Sequence, residues 1–239
     1  MGLISYFKEQ VRLTRERDPA IHSALEVLVY PGVVATAYYR VAHKMYQSGH
    51  YFLSRWLAHK AYRRTGIDIH PGAQIGKGFF IDHGSGVVIG ETSVIGDNCT
   101  LFQGAVLGGT GKEHGKRHPT LGDNVMVSAG ASVLGSITIG DNTKIGAGAV
   151  VLMDTPPNST VVGVPGRVVR LNQERVTWED LDQVHLPDPV QQDICRLQFE
   201  YKRLYQRVEA LEAQEKTSEK GEHRADLRSE EHTSELQSR

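Results

Sequence analysis

Only two cysteines, Cys99 and Cys195, occur in 239 residues. That is too few for a disulfide framework and points to a reducing, cytoplasmic compartment. Neither charge sign dominates. Lys+Arg number 27 against 28 for Asp+Glu, a formal net charge of -1, and no basic block is available to track a phosphate backbone, which argues against nucleic acid as a partner. Long apolar runs are also missing. The longest charge-free apolar stretch, Val27 to Tyr39, is too short to span a bilayer and contains Pro31 and Gly32, so no membrane role is expected. The opening MGLISYFKEQ has no apolar signal core, and Tyr6 stands where a myristoylation motif needs Ser or Thr. The length suits one large domain with appendages, or two small ones. What the chain has in excess is glycine, with 25 residues against a usual share of ~7%.

The glycines follow a repeat. From 66 to 166 an aliphatic residue recurs every six positions: Ile69, Ile75, Ile81, then in a shifted phase Ile89, Ile95, Leu101, Leu107, then Leu121, Val127, Val133, Ile139, Ile145, Val151. A period of six is neither the 3.6 of a helix nor the 2 of an independent strand, so each unit is a short strand plus a turn. Hexads of this kind predict a parallel β-helix in which three units make a triangular coil and each aliphatic points inward. Gly, Asp and Asn then take the corners. Two phase breaks, Ile81 to Ile89 and Leu107 to Leu121, mark places where the chain leaves the prism. The second, around GGTGKEHGKRHPT, predicts an extruded loop at 109–119.

Flanking segments read differently. Residues 1–65 show helical patterning and predict three or four short helices, with Asp18-Pro19 as a helix start. After Pro187, Val190, Ile194, Leu197, Tyr201, Leu204, Val208 and Leu211 alternate by four and three. This heptad seam over 187–213 predicts a coiled coil or an amphipathic helix laid on the body. Residues 214–239 are polar and predicted to be disordered. The stretch 228–239, RSEEHTSELQSR, resembles translated sequencing-adapter read-through and is expected to be non-native.

Ionisable residues gather at the two breaks: His70, His83, His114, His118, Asp68, Asp82 and Arg117. A histidine in a glycine-rich loop, such as His114, reads first as a solvated turn residue. Asp82-His83 is more telling, because two ionisable groups interrupt an aliphatic ladder. The spacing of Asp68 and Asp82 suggests one face, one coil apart. A His steadied by a carboxylate is the usual general base. No Ser or Cys nucleophile elbow is present, so direct attack by a substrate hydroxyl is preferred over a covalent intermediate. GGTGK at 108–112 is followed by Glu113 rather than Ser or Thr, which excludes a nucleoside-triphosphate loop. Zinc between subunits, held by a set including His83 and His118, is opposed by Arg117 next door, so no metal is expected.

The segments DPAIHSALEVLVYPG, YYRVAHKMY, TGIDIHPGAQIGKGFFIDHGSGVVIGET, VLGGTGKEHGKRHP and VVGVPGRVV resemble serine O-acetyltransferases of the hexapeptide-repeat acyltransferase superfamily, over Asp18 to about Arg170. The resemblance implies a left-handed parallel β-helix at 66–170, preceded by a helical domain at 1–65 and followed by a C-terminal helix. It implies acetyl transfer from acetyl-CoA, a co-substrate rather than a resident cofactor, to the L-serine hydroxyl in cysteine synthesis, with feedback inhibition by cysteine. His83 corresponds to the general base and Asp68 to its orienting acid. Asp18 and Asp82 correspond to carboxylates that hold the serine ammonium, and Arg117 and His118 to loop residues that bind its carboxylate. Gly109, Thr110, Ala129, Lys144 and Ala147 fall where the family lines the pantetheine arm and nucleotide. The family is trimeric, with the active site between prisms. Members with a longer N-terminal extension form hexamers, and members with a flexible C-terminal peptide dock O-acetylserine sulfhydrylase. Two other readings remain on the same prism: acetylation of a sugar or antibiotic hydroxyl, and a zinc-dependent, carbonic-anhydrase-like hydratase.

Overall fold

A computed structural model of the chain describes residues 3–18, 21–111, 114–171, 194 and 197–208. The N-terminal segment forms α1 (Leu3–Arg17), a 3₁₀ turn (Glu26–Val29), α2 (Pro31–Gln47) and α3 (Tyr51–Thr65). α2 starts on Pro31, whose missing N–H has no helical partner to lose at that position. Asp18, expected to start a helix, instead closes α1: its backbone N–H donates to the Thr14 carbonyl at 2.8 Å. Its carboxylate is committed to Tyr30, a contact across twelve residues that local capping signals cannot reveal.

From Asp68 to Arg170 the chain winds through three sheets. Sheet A takes β1 (Asp68–Ile69), β4 (Val88–Ile89), β7 (Val106–Gly108), β10 (Ser132–Leu134) and β13 (Val150–Val151). Sheet B takes β2 (Gln74–Ile75), β5 (Val94–Ile95), β8 (Thr120–Leu121) and β11 (Thr138–Ile139). Sheet C takes β3 (Phe80–Ile81), β6 (Thr100–Leu101), β9 (Met126–Val127), β12 (Lys144–Ile145), β14 (Thr160–Val162) and β15 (Arg167–Arg170). The pairings between coils are parallel, and β15 alone folds back antiparallel on β14. Val88↔Val106 advances three hexads. Asp68↔Val88 absorbs the first phase break and Val106↔Ser132 the second, so both insertions leave the ladder in register.

The predicted aliphatic positions fill the prism. Ile69, Ile81, Ile89, Ile95, Leu101, Leu107, Leu121, Val127, Val133, Ile139, Ile145 and Val151 are all buried in one core cluster. Each fully buried side chain of this kind contributes about 1.5–3 kcal/mol. Ile75 is only partly buried, because β2 ends sheet B beneath the helices.

One corner explains the recurring Gly-Asp-Asn. Asp97 Oδ1 accepts the N–H of Lys77, Asp123 Oδ1 that of Asp97, and Asp141 Oδ1 that of Asp123, at 2.7, 2.7 and 2.8 Å. Asn98, Asn124, Asn142 and Asn158 then take φ between 57 and 59°. Their side chains stack, with Asn124 donating to Asn142 at 3.1 Å and Asn142 to Asn158 at 2.9 Å. Gly96 precedes Asp97 because a Cβ there would lie 2.5 Å from Asp123 Oδ1.

The helices pack on the first coil. Tyr39 donates to the Ala73 carbonyl at 2.6 Å, and His43 Nδ1 meets the Pro71 carbonyl at 2.7 Å. Helices and prism lie within one compact unit, Met1–Pro189. Val190–Arg239 is a second unit. Within it residues 197–208 are helical, and the seam residues Leu197, Tyr201, Leu204 and Val208 are exposed. The other heptad positions, apart from Ile194, and the tail 214–239 with its stretch 228–239 lie outside the described residues. No helix among the described residues is long and apolar enough to cross a membrane.

Candidate active site

β3 delivers the chain to the corner Asp82-His83-Gly84-Ser85-Gly86, the first phase break. The extra residues lift His83 out of the prism at φ 55°, with the Gly84 N–H returning to the Asp82 carbonyl across it. Every other non-glycine residue at positive φ among the described residues is an Asn of the corner ladder, so His83 stands apart. Its side chain is 72% exposed, and Nε2 lies 3.9 Å from Asp82 Oδ1.

Asp68 sits elsewhere in the same coil. It opens β1 in register with Val88, and its backbone N–H donates to the Val87 carbonyl at 2.9 Å. Among the described residues no hydrogen bond or ion pair joins its carboxylate to His83, and the acid paired with that ring is Asp82. The fourteen-residue spacing suggested acids one coil apart. A coil takes at least three hexads, so Asp68 and Asp82 share one coil instead.

Tyr30 gathers two of the acids. As the residue before Pro31 it is held extended, at φ -65° and ψ 121°, which turns its side chain away from α2's path. Its hydroxyl lies 2.6 Å from Asp82 Oδ1 and 3.0 Å from Asp18 Oδ2. The ring stacks on Phe80, with centroids 6.0 Å apart, and Arg17 lies over Phe80 at 5.5 Å. Burial first, then Asp82 and Asp18, push the Tyr30 phenol well above the ordinary tyrosine range, so it remains a donor. A phenol has one hydrogen and can serve only one carboxylate at a time. The result is a recess with two negative charges around one neutral hydroxyl.

A second cluster occupies the other end of β4. Gly90, Glu91 and Thr92 receive the returning loop. Thr92 Oγ1 accepts the backbone N–H of Arg117 at 3.0 Å and of His118 at 3.1 Å, and sits 2.9 Å from His118 Nδ1. His118 is only 9% exposed and lies so close over Gly90 that a Cβ there would be 1.9 Å from its ring. Glu91 pairs with Arg117 and accepts the Tyr46 hydroxyl at 2.9 Å. The hydrogen bond from Arg117, then that from Tyr46, hold the Glu91 carboxyl below its usual range. Burial, then Arg117, lowers His118, while burial, then Arg55, lowers His70 to about 4. His70 meets the Tyr46 ring edge-on at 5.7 Å. Lys116 is anchored to the Thr92 and Pro119 carbonyls at 2.7 and 3.2 Å.

Thus the structure joins Asp18, Asp82 and His83 at one end of β4, and Arg117 and His118 at the other. Tyr30, Glu91 and Thr92 were missed by sequence reasoning, although they stand inside DPAIHSALEVLVYPG and at the end of VVIGET. Ala129 and Ala147 stack at the corner that His83 opens, the Gly148 N–H donating to the Ala129 carbonyl at 2.9 Å. Gly109 lies against Arg117 and His118, and Thr110 beside Gly135, both at the opposite end of sheet A. Lys144 stands on β12 just before the Ala147 corner and is 3% exposed. Among the described residues no group of three His, Cys, Asp or Glu side chains could hold a metal ion.

A stacked-hexad prism with a lifted histidine, a paired-acid recess and a basic loop defines an acyltransferase of the hexapeptide class. The family model described as bacterial transferase hexapeptide (six repeats) matches residues 118–152. A serine acetyltransferase from Bacillus licheniformis is 51% identical over 87% of this chain and 96% of its own length. The crystal structure of Neisseria gonorrhoeae serine acetyltransferase in complex with serine is 43% identical, with a TM-score of 0.67 over 70% of this chain and 69% of that one. A serine acetyltransferase in complex with cysteine is 38% identical, with a TM-score of 0.73 over 77% of this chain and 72% of that one. The chain therefore belongs to the serine acetyltransferase family, and its prism is the left-handed parallel β-helix of that family.

Proposed function

We propose that this protein transfers the acetyl group of acetyl-CoA to the hydroxyl of L-serine, giving O-acetyl-L-serine and CoA for cysteine synthesis. The observation that carries the reading is the pairing of opposite recesses: Asp18 and Asp82 around Tyr30, and Arg117 with His118 over Gly90. Two carboxylates suit an ammonium, and a guanidinium suits a carboxylate, so the site is complementary to a zwitterion. A neutral sugar hydroxyl would use neither charge.

His83 takes the serine hydroxyl proton as the oxygen attacks the thioester carbonyl. The tetrahedral intermediate collapses with loss of the CoA thiolate, which recovers the proton from the imidazolium. General-base assistance of this kind contributes about 10²–10⁴-fold in rate. Asp82, 3.9 Å from Nε2, is placed to favour the imidazolium as it forms, with Asp68 as the second candidate acid. Gly109, Thr110, Ala129, Lys144 and Ala147 line the path of the acyl donor.

The protein acts as a homotrimer in this reading, because His83 is open to solvent and its complement lies at the far end of β4. Packing prisms around a threefold axis brings His83 of one chain toward Arg117 and His118 of the next. Cysteine, a zwitterion with a thiol in place of the hydroxyl, competes for the same recesses. Buried, unpaired Cys99 supports a cytoplasmic compartment.

The test is release of free thiol from acetyl-CoA, read with a chromogenic disulfide, with L-serine, serinol or no acceptor. L-Serine-dependent release, absent with serinol and abolished in His83→Ala, is expected. Equal release with serinol would show that the carboxylate recess plays no part and would overturn the assignment.

A further inference from the structure

The helices enclose a cavity that acetyl transfer does not use. It holds about 420 Å³ between α1, α2 and the first coil, and its walls include Gln10, Arg40, Lys44, Ile75 and Phe79. Such a volume accommodates a small organic molecule.

Its lining is asymmetric in charge. Arg40 and Lys44 stand one turn apart on α2, and neither forms an ion pair with an acid among the described residues. Arg40 lies 4.6 Å over the Tyr6 ring, which fixes the guanidinium at the wall. Glu9, the acid of the same turn of α1, accepts the backbone N–H of Gly78 on Oε1, while its buried Oε2 has no hydrogen-bond partner among the described residues. His43 is engaged on both nitrogens, by the Pro71 carbonyl at 2.7 Å and the Gln47 amide at 2.9 Å. Gln10, 3% exposed, stands with Arg40 and Lys44 in the wall. Opposite these polar groups, Ile75 and Phe79 make an apolar floor.

We propose that this cavity binds a small monoanion with an apolar body, its carboxylate or sulfonate set against Arg40 and Lys44 and completed by the Gln10 amide. The apolar part rests on Ile75 and Phe79. A multiply charged phosphate would leave the floor unused.

The probe is 8-anilinonaphthalene-1-sulfonate, titrated by fluorescence against the full-length protein with saturating CoA and serine present. N-phenyl-1-naphthylamine, its uncharged relative, serves as comparison. One saturable sulfonate site per chain is expected, weakened at least tenfold in Arg40→Gln/Lys44→Gln, with the uncharged probe changed less than twofold. Lys44→Gln alone, at an exposed position, gives an intermediate loss and guards against misfolding of the double variant. Sulfonate binding seen in a parallel titration without CoA but lost at saturating CoA, or binding unaltered by either variant, would overturn the proposal.

Discussion

Tyr30→Phe isolates the hydroxyl that gathers Asp18 and Asp82. The ring and its stacking on Phe80 survive the change, so folding is preserved while one hydroxyl is lost. A hydrogen bond to a charged group contributes about 1.5–3 kcal/mol when buried. Tyr30 is half-buried, and the recess admits water once the hydroxyl is gone, so about 1–2 kcal/mol is the expected loss. At 1.36 kcal/mol per decade this is roughly a 5–30-fold fall in kcat/KM for serine. The fall should appear in the serine KM, because the acids act on the bound ammonium rather than on the transferring acetyl group. Steady-state thiol release at fixed saturating acetyl-CoA, with serine varied, measures it, and a second series varying acetyl-CoA should be unchanged. A loss confined to kcat, or an equal rise in both KM values, would refute the role assigned to Tyr30.

Other positions make separable predictions. Gly90→Ala forces His118 aside, because the new Cβ would lie 1.9 Å from its ring; kcat/KM for serine should drop by about 10²-fold with far-ultraviolet circular dichroism unchanged. Retained activity would remove His118 from the site. Asn142→Ala places a Cβ residue without a local hydrogen bond at φ 57° and breaks two rungs of the ladder, so chemical denaturation should show a loss of about 2–3 kcal/mol. Asn142→Gly should recover about 1 kcal/mol of that, and no difference between the two would mean that backbone conformation is not the cause. His70 titrates near 4 when folded and near 6.5 when unfolded, so the unfolded chain binds the extra proton between those values. Stability should therefore be full above pH 6.5 and fall toward pH 4, by about 2 kcal/mol after allowing for partial exposure. His70→Gln should flatten thermal unfolding midpoints over that range, and an unchanged slope would assign the loss to carboxylates such as Glu91.

The prism was legible because burial repeats: each of the aliphatic positions from Ile69 to Val151 faces the same core, and only Ile75 departs, under the helices. His83 and Asp82 were legible for the opposite reason, since polar residues interrupt a ladder that otherwise excludes them. Tyr30, Glu91 and Thr92 left no such mark. Their partners lie up to 52 residues away, and a tyrosine before a proline or a threonine at a corner looks ordinary until the chain is folded. Asp18 misled for a related reason. An Asp-Pro pair carries a strong local signal for a helix start, but the carboxylate is drawn to a phenol that no local pattern can specify.

The loop at 109–119 leaves from β7 and returns to β8 while Val106 remains paired with Ser132 and Val94 with Thr120. In the proposed reading the recognition element is thus an insertion: the Pro119 carbonyl supplies a rung to the Val94 N–H, and changes ahead of it in the loop leave the strand pairings in place. Acceptor choice and folding are consequently free to diverge at different rates, so a change of substrate among prisms of this kind can begin at the loop and leave the coils untouched.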